Sequence, residues 1–180
     1  TAMSAMFRSC SSLKTVDLSN FDTSSLEDAS EMFMYCSSLV TLDLKNFKTP
    51  MLKDTSFMFS EAHALANLNI SGLNTSNVTN MSKMFYLMEG FNSCIDNWDV
   101  SNVTNMSNMF SDCGYMATSW SIGTLTNWKT SNVTKMDSMF YYTGYSSTIF
   151  NLDLGDKFDT SKVTNMSGMF SSCSSLPSIT

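Results

Sequence analysis

Apolar residues return along this chain in two alternating phases. In the first they fall at L-x-x-L-x-L spacing: Leu13, Val16 and Leu18; Leu39, Leu42 and Leu44; Leu65, Leu68 and Ile70. The end of that pattern alternates apolar and polar, the period of a short strand with one face inward. An aromatic or leucine follows it at Phe21, Phe47, Leu73, Trp98, Trp128 and Phe158. In the second phase apolar residues fall at i, i+3, i+6 and i+7, as at Val78, Met81, Met84 and Phe85, or Val163, Met166, Met169 and Phe170. That spacing predicts a short helix carrying an apolar stripe. Thr-Ser pairs just ahead of it (Thr75-Ser76, Thr130-Ser131, Thr160-Ser161) fit an N-cap.

The two phases form one repeat. Met-Phe pairs end it at residues 6–7, 32–33, 58–59, 84–85, 109–110, 139–140 and 169–170, in steps of 26, 26, 26, 25, 30 and 30. One such unit cannot bury its own apolar face, whereas stacked units can. The expected fold class is therefore α/β. It is a right-handed, leucine-rich-repeat-like β/α solenoid with parallel strands on one face and short helices on the other. Residues 1–180 read as a single array of about six repeats of 25–30 residues. The chain starts inside a helical half and ends inside a strand half without a polar capping repeat. That predicts a segment of a longer chain. The four extra residues in each of the last two steps fall between Phe110 and Trp128 and between Phe140 and Phe158, and predict longer loops there.

Composition narrows the function. Charged residues are only 14% of the chain, while Ser, Thr and Asn make up 67 of 180 positions (32, 19 and 16). A 43% hydrophobic content sets the chain apart from a disordered polar tract. The net charge of −6 argues against nucleic acid, which selects basic surfaces. No apolar run approaches the ~20 residues of a membrane span. A single histidine, His63, leaves no basis for histidine catalysis or a multi-histidine metal site. No constellation of nucleophile, base or phosphate loop interrupts the repeat, so the expectation is no enzyme, no cofactor and no metal.

Four sets of residues invite a functional reading. Cys10, Cys36, Cys113 and Cys173 each lie three residues after the repeat phenylalanine, where other copies hold Ala62, Met88 and Thr143. A slot tolerating those side chains predicts buried free thiols, with a Cys10–Cys36 bridge between adjacent coils still open; Cys94 stands apart as the exposed one. Asp17, Asp43 and Asp153, with Asn69 in register, point away from the core; they are solvated face residues or weak ligand contacts. Asn-x-Ser/Thr occurs at Asn69, Asn74, Asn77, Asn80, Asn102, Asn105, Asn132 and Asn165, written by the repeat itself, and predicts side-chain ladders along the stack. Finally Tyr115, Trp120, Tyr141, Tyr142, Tyr145 and Phe150 fall outside the repeat pattern, in and beside the two insertions. Aromatics on loops are frequent contact residues.

The segments NVTNMSKMF, NVTNMSNMF and NVTNMSGMFSSCSSL, with L-D-L ahead of them, resemble the bacterial surface protein 26-residue repeat, the BspA-like group of leucine-rich repeats. The resemblance covers essentially the whole chain. Ala29, Pro50 and Thr55 depart from the pattern in the early copies. The resemblance implies a secreted, wall-attached or lipid-anchored surface protein, and some members bind host matrix proteins or promote coaggregation. The family shares no catalytic residue. The function expected is a non-enzymatic cell-surface adhesion module, contacting protein or glycan on a host or neighbouring cell through an extended repeat surface. The rival reading is a structural repeat of a surface fibre or layer that self-assembles. The ligand-contact candidates of the adhesion module are Tyr115, Trp120, Tyr141, Tyr142, Tyr145, Asp17, Asp43 and Asp153.

Overall fold

The computed structural model describes residues 1–91, 93–115, 120–145 and 152–180. Each Met-Phe repeat forms one coil, and successive coils lie parallel. Bridges join Ala2 to Asp28, Asp28 to Asp54, Asp54 to Asn80, Asn80 to Asn105, Asn105 to Lys135 and Lys135 to Asn165. A second column pairs Thr15 with Thr41, then strand β1 (Thr41–Asp43) with strand β2 (Asn67–Asn69). There Leu42 faces Leu68 and Asp43 faces Asn69.

The expected leucine-rich-repeat-like β/α solenoid is overturned. Among the described residues there is no helix, and regular strand reduces to β1 and β2 with isolated bridges around them. The stripe segments are ribbons of turns, because their amides alternate between two destinations. Met81, Lys83, Phe85 and Leu87 donate to Asn105, Ser107, Met109 and Ser111 of the next coil, each at 3.0 Å. Between them, Met84, Tyr86 and Met88 donate three residues back, to Met81, Lys83 and Phe85. A helix would send every one of these amides four residues back.

Two features of the sequence favour the ribbon. Five of the seven segments open on an Asx turn, in which Asp28, Asp54, Asn80, Asn105 or Asn165 accepts the amide of the serine two residues on, at 2.8–3.1 Å. Such bonds compete with helix. A helix this short is also marginal on its own, whereas the neighbouring coil presents carbonyls in register. The cost is a left-handed residue at every fourth position: Glu31 and Tyr35, Phe57 and Glu61, Lys83 and Leu87, Asn108 and Asp112, Ser138 and Tyr142. The Thr-Ser pairs cap nothing. Thr49 instead binds the next coil, accepting the Asn74 amide at 2.9 Å and donating to the Asn74 carbonyl at 3.4 Å.

Burial survives the change of geometry, because the inward positions are the same. Val78, Met81, Met84 and Phe85 are completely buried, as are Met106, Met109 and Phe110. The repeat phenylalanines stack in one column: Phe7, Phe33, Phe59, Phe85, Phe110, Phe140 and Phe170 lie 5.3–5.9 Å apart, with rings within 13° of parallel. Side-chain ladders run along the outside, as the Asn-x-Thr pattern suggests. Asn77, Asn102 and Asn132 donate to the Pro50, Ser76 and Ser101 carbonyls. Thr104, Thr134 and Thr164 donate to the Thr79, Thr104 and Thr134 carbonyls, each at 3.1 Å. No helix among the described residues is long and apolar enough to cross a membrane.

Candidate contact face

The two longer loops start from one local device. Gly114 and Gly144 stand four residues after Phe110 and Phe140, with φ of 64° and 60°. Their amides donate to the Met88 and Cys113 carbonyls of the preceding coil. The next residue is tyrosine both times. Tyr115 and Tyr145 are thus in register one coil apart, and their rings stack at 5.9 Å. Tyr142 stacks on Tyr145 at 4.3 Å and on Tyr115 at 5.6 Å, and Tyr141 lies 6.0 Å from Tyr142. Four of the five aromatic candidates therefore form one surface cluster. Tyr141 and Tyr145 are 38% and 41% exposed, and Tyr115 and Tyr142 are half-buried. Desolvation within the cluster, then the hydrogen bond to Tyr145, raises the Tyr142 phenol above its usual range, so it stays a neutral donor and acceptor.

Trp120 has a different place. It is 2% exposed and meets the edge of Phe110 at 6.3 Å and 73°. A Cβ on Gly114 would lie 1.9 Å from its ring, so glycine is required there by both space and φ. Trp120 anchors its loop from inside the core and presents no ring to a partner. Phe150 lies outside the described residues.

The carboxylate candidates separate from the tyrosines. Asp17 and Asp43 lie in register on the exposed strand column, and each closes an Asx turn by accepting the amide two residues on, from Ser19 at 2.9 Å and Lys45 at 3.0 Å. Those backbone bonds hold both carboxyls below their ordinary range. Lys45 also pairs with Asp43 at 3.2 Å. Asp153 is half-buried, and its carbonyl accepts the Leu125 amide. A shallow groove of about 340 Å³ runs beside β2, with Asn69, Ser71, Ser93, Asn97 and Trp98 in its walls.

A second aromatic and charged column escaped the sequence reading. It runs through the left-handed positions two residues before and after the repeat phenylalanine and the residue directly after it; Arg8, Glu31, Tyr35 and Glu61 there are exposed or half-buried, whereas Met34, Ser60 and Ser111 are buried. Arg8 pairs with Glu31 at 2.6 Å. Lys83 sits 5.2 Å over the Phe57 ring and 5.3 Å over the Tyr86 ring. Tyr35 is 38% exposed, and the Glu61 carboxylate beside it raises its phenol. The signal was available in the alignment of the copies: −2 reads Ala5, Glu31, Phe57, Lys83, Asn108, Ser138 and Gly168. A position free to vary in a repeat is either unconstrained or individually used.

The thiol slot is only partly buried. Cys36 and Cys113 are buried, Cys173 is intermediate, and all five cysteines are free. Cys36 and Cys173 donate to the Phe7 and Phe140 carbonyls of the coil before them, and Thr143 uses the same slot to reach Phe110 at 2.6 Å. Cys10, expected to be buried, is exposed. For Cys36 and Cys173 the coil before supplies the cover. Cys94 is exposed, as its odd position suggested.

The sequence profile of a family described as "Mycoplasma protein of unknown function, DUF285" matches residues 1–122 and 115–178. No curated protein and no solved structure matches the chain.

Proposed function

The chain belongs to the DUF285 family, and from that premise we propose that it is a non-enzymatic binding module, displayed outside the cell, which holds protein or glycan partners through the turn face of its stacked coils. The observation that carries this reading is the cluster of Tyr115, Tyr141, Tyr142 and Tyr145, in which two ribbon tyrosines meet the tyrosines that directly follow Gly114 and Gly144. Tyrosine presents a large apolar ring with a polar tip and loses little side-chain freedom on binding. A cluster left half-exposed on a surface otherwise dominated by Ser, Thr and Asn is a contact feature of the kind that dominates binding energies. The likeness of the NVTNMS-x-MF segments to the BspA-like surface repeats points the same way and favours adhesion to a host or neighbouring cell.

The coil architecture suits that task. Every coil is fixed to the next by four turn-face amides, a phenyl stack and side-chain ladders, so the face is preorganised and binding orders little. Affinity per site is modest and multiplies when copies are tethered, because the second contact becomes intramolecular. The test is a panel of immobilised matrix proteins and glycans, probed once with the free 180-residue chain and once with the chain coupled densely to beads. The reading predicts retention of the beads by at least one partner class and weak retention of the free chain. Equal, negligible retention of both on every surface contradicts it.

A further inference from the structure

The turn face carries a strip of interleaved tyrosines and carboxylates. Resting on the binding-module reading, we propose that this strip seats an extended lysine- or arginine-rich segment of a partner protein. Its cations enter between the rings of Tyr35, Tyr86 and Tyr142 and the carboxylates of Glu61 and Asp112.

One repeat position builds the strip. Tyr35, Glu61, Leu87, Asp112 and Tyr142 each stand two residues after the repeat phenylalanine. All five share a left-handed backbone, with φ between 54° and 61°. Each donates its amide to the coil that follows, at Ser60, Tyr86, Ser111, Tyr141 and Ser171. With one conformation and one register, their side chains project side by side from five successive coils, and none of the five is buried. Four steps of about 4.8 Å make a line of roughly 19 Å, the span of about six extended residues. Each of these coils has a neighbour on both sides, so the strip's exposure owes nothing to the ends of the stack. Tyr86, one residue before Leu87, stands between the two carboxylates: partial burial, then the Asp112 and Glu61 charges, raise its phenol. Beyond Asp112 the column enters the tyrosine cluster, where Tyr142 stacks on Tyr145 at 4.3 Å.

The charges of the strip are unbalanced. Among the described residues no cation lies within ion-pair distance of Glu61 or Asp112, whereas Glu27, Glu31 and Asp43 each have one. Asp112 accepts only the Ser111 hydroxyl among the described side chains, at 2.8 Å. Both carboxylates are half-buried, and a cation meeting them there is screened less than one in a fully exposed pair. Lys83 shows how a cation sits on this face. Its ammonium lies 5.2 Å over the Phe57 ring and 5.3 Å over the Tyr86 ring, within the distance at which ring faces attract cations. No described cation does the same over Tyr35 or the four clustered tyrosines.

The net charge of −6 steers a basic partner toward the chain. The strip also discriminates. A neutral glycan leaves both carboxylates unused, and a sulfated glycan is repelled by them.

The experiment is fluorescence anisotropy with three labelled probes: hexa-arginine, an uncharged Gly-Ser hexapeptide and a heparin oligosaccharide. Each is titrated with the 180-residue chain as wild type, as Glu61→Gln with Asp112→Asn, and as Asp17→Asn with Asp43→Asn. The last pair removes the same two charges from the strand side. Circular dichroism matching the wild type establishes that the variants fold, and Glu61→Gln and Asp112→Asn are also measured singly. Hexa-arginine is expected to bind the wild type, and to bind more weakly as salt rises from about 50 to about 300 mM. The strip variant is expected to lose about tenfold or more in affinity, each single variant part of that, and the strand-side variant far less. The uncharged peptide and the heparin oligosaccharide are expected not to bind. Three results overturn the proposal: no binding of hexa-arginine to the wild type, equal losses in the strip and strand-side variants, or tighter binding of the heparin oligosaccharide than of hexa-arginine. Bead retention by an immobilised partner without hexa-arginine binding sinks this proposal and leaves the binding module standing. Hexa-arginine binding at the strip without bead retention on any surface contradicts the module reading alone.

Discussion

Replacing Ser138 by glycine and, separately, by alanine separates a turn ribbon from a helix by the sign of one stability difference. Ser138 has φ 53° and sits one coil before Gly168, which occupies the same repeat position with φ 66°. Both variants delete the hydroxyl, so comparing them isolates the backbone. In the left-handed region an L side chain costs about 1–2 kcal/mol. Glycine avoids that cost but has roughly 0.5–1 kcal/mol more unfolded-state freedom to lose. The glycine variant should therefore be more stable than the alanine variant by up to about 1 kcal/mol. In a helix the order inverts, with alanine ahead by about 0.8–1.0 kcal/mol. The assay is equilibrium denaturation by urea, comparing midpoints at unchanged m. In thermal melts 1 kcal/mol corresponds to roughly 2–4 °C for a chain of this size. An alanine variant more stable than the glycine variant would refute the ribbon and restore the helix that the apolar spacing predicts. Gly168→Ala provides the converse, a loss of stability at a position where the chain already has glycine.

Phe110→Ala, which removes a completely buried ring stacked between Phe85 and Phe140, should cost about 3–5 kcal/mol in the same denaturation assay, against under about 0.5 kcal/mol for Ser37→Ala at an exposed position. A water-soluble thiol reagent followed by mass spectrometry should label Cys10 and Cys94 quickly, Cys173 at an intermediate rate, and Cys36 and Cys113 only on unfolding. Burial lifts the Cys36 thiol to about 11 and the Cys113 thiol further, and the thiolate is the reactive form. Asp17, Asp22, Asp43, Asp99 and Asp159 are all held below their ordinary 3.8 by hydrogen bonds from the residue two on, chiefly its amide for Asp17, Asp43 and Asp159 and chiefly the serine hydroxyl for Asp22 and Asp99. A depressed folded value means the stabilisation is full above the unfolded value and fades as pH falls through the folded one. Thermal melts should therefore weaken on acidification below about pH 4, and Asp17→Asn with Asp43→Asn should flatten that dependence.

Much of this was legible because a repeat forces register. The Met-Phe spacing placed Phe33, Phe59, Phe85, Phe110 and Phe140 in one buried column, and the Asn-x-Thr pattern placed ladders on the outside. Helix was the misreading, and the reason is physical. Apolar positions at i, i+3, i+6 and i+7 state which residues face inward, and a turn ribbon with a left-handed residue every fourth position buries the same ones. The deciding fact was where the amides of Met81, Lys83 and Phe85 find acceptors, and those lie one coil away. Trp120 was read as a loop contact because it breaks the repeat, yet its bulk fills space that Gly114 leaves open. Cys10 shares the thiol slot by sequence, yet it is exposed where Cys36 and Cys113 are buried. The tyrosine cluster was legible as composition, since the insertions are rich in tyrosine. Its assembly depended on Gly114 and Gly144 placing Tyr115 and Tyr145 in register, beside Tyr142 on the turn ribbon. The column of Glu31, Tyr35, Phe57 and Lys83 was hidden by its lack of any shared residue type.

Whether partners are held by the tyrosine cluster is decided by bead retention on the bound matrix protein or glycan for two double variants. Tyr142→Ser with Tyr145→Ser removes the rings stacked at 4.3 Å, and Asp17→Asn with Asp43→Asn alters the exposed strand column while leaving an acceptor for each turn. The account predicts that the tyrosine variant loses at least about tenfold in retention, the order of a ~1.4 kcal/mol contact, while the aspartate variant retains wild-type binding. Loss of binding in the aspartate variant with the tyrosine variant unaffected would contradict it and move the contact face to the strand side of the stack.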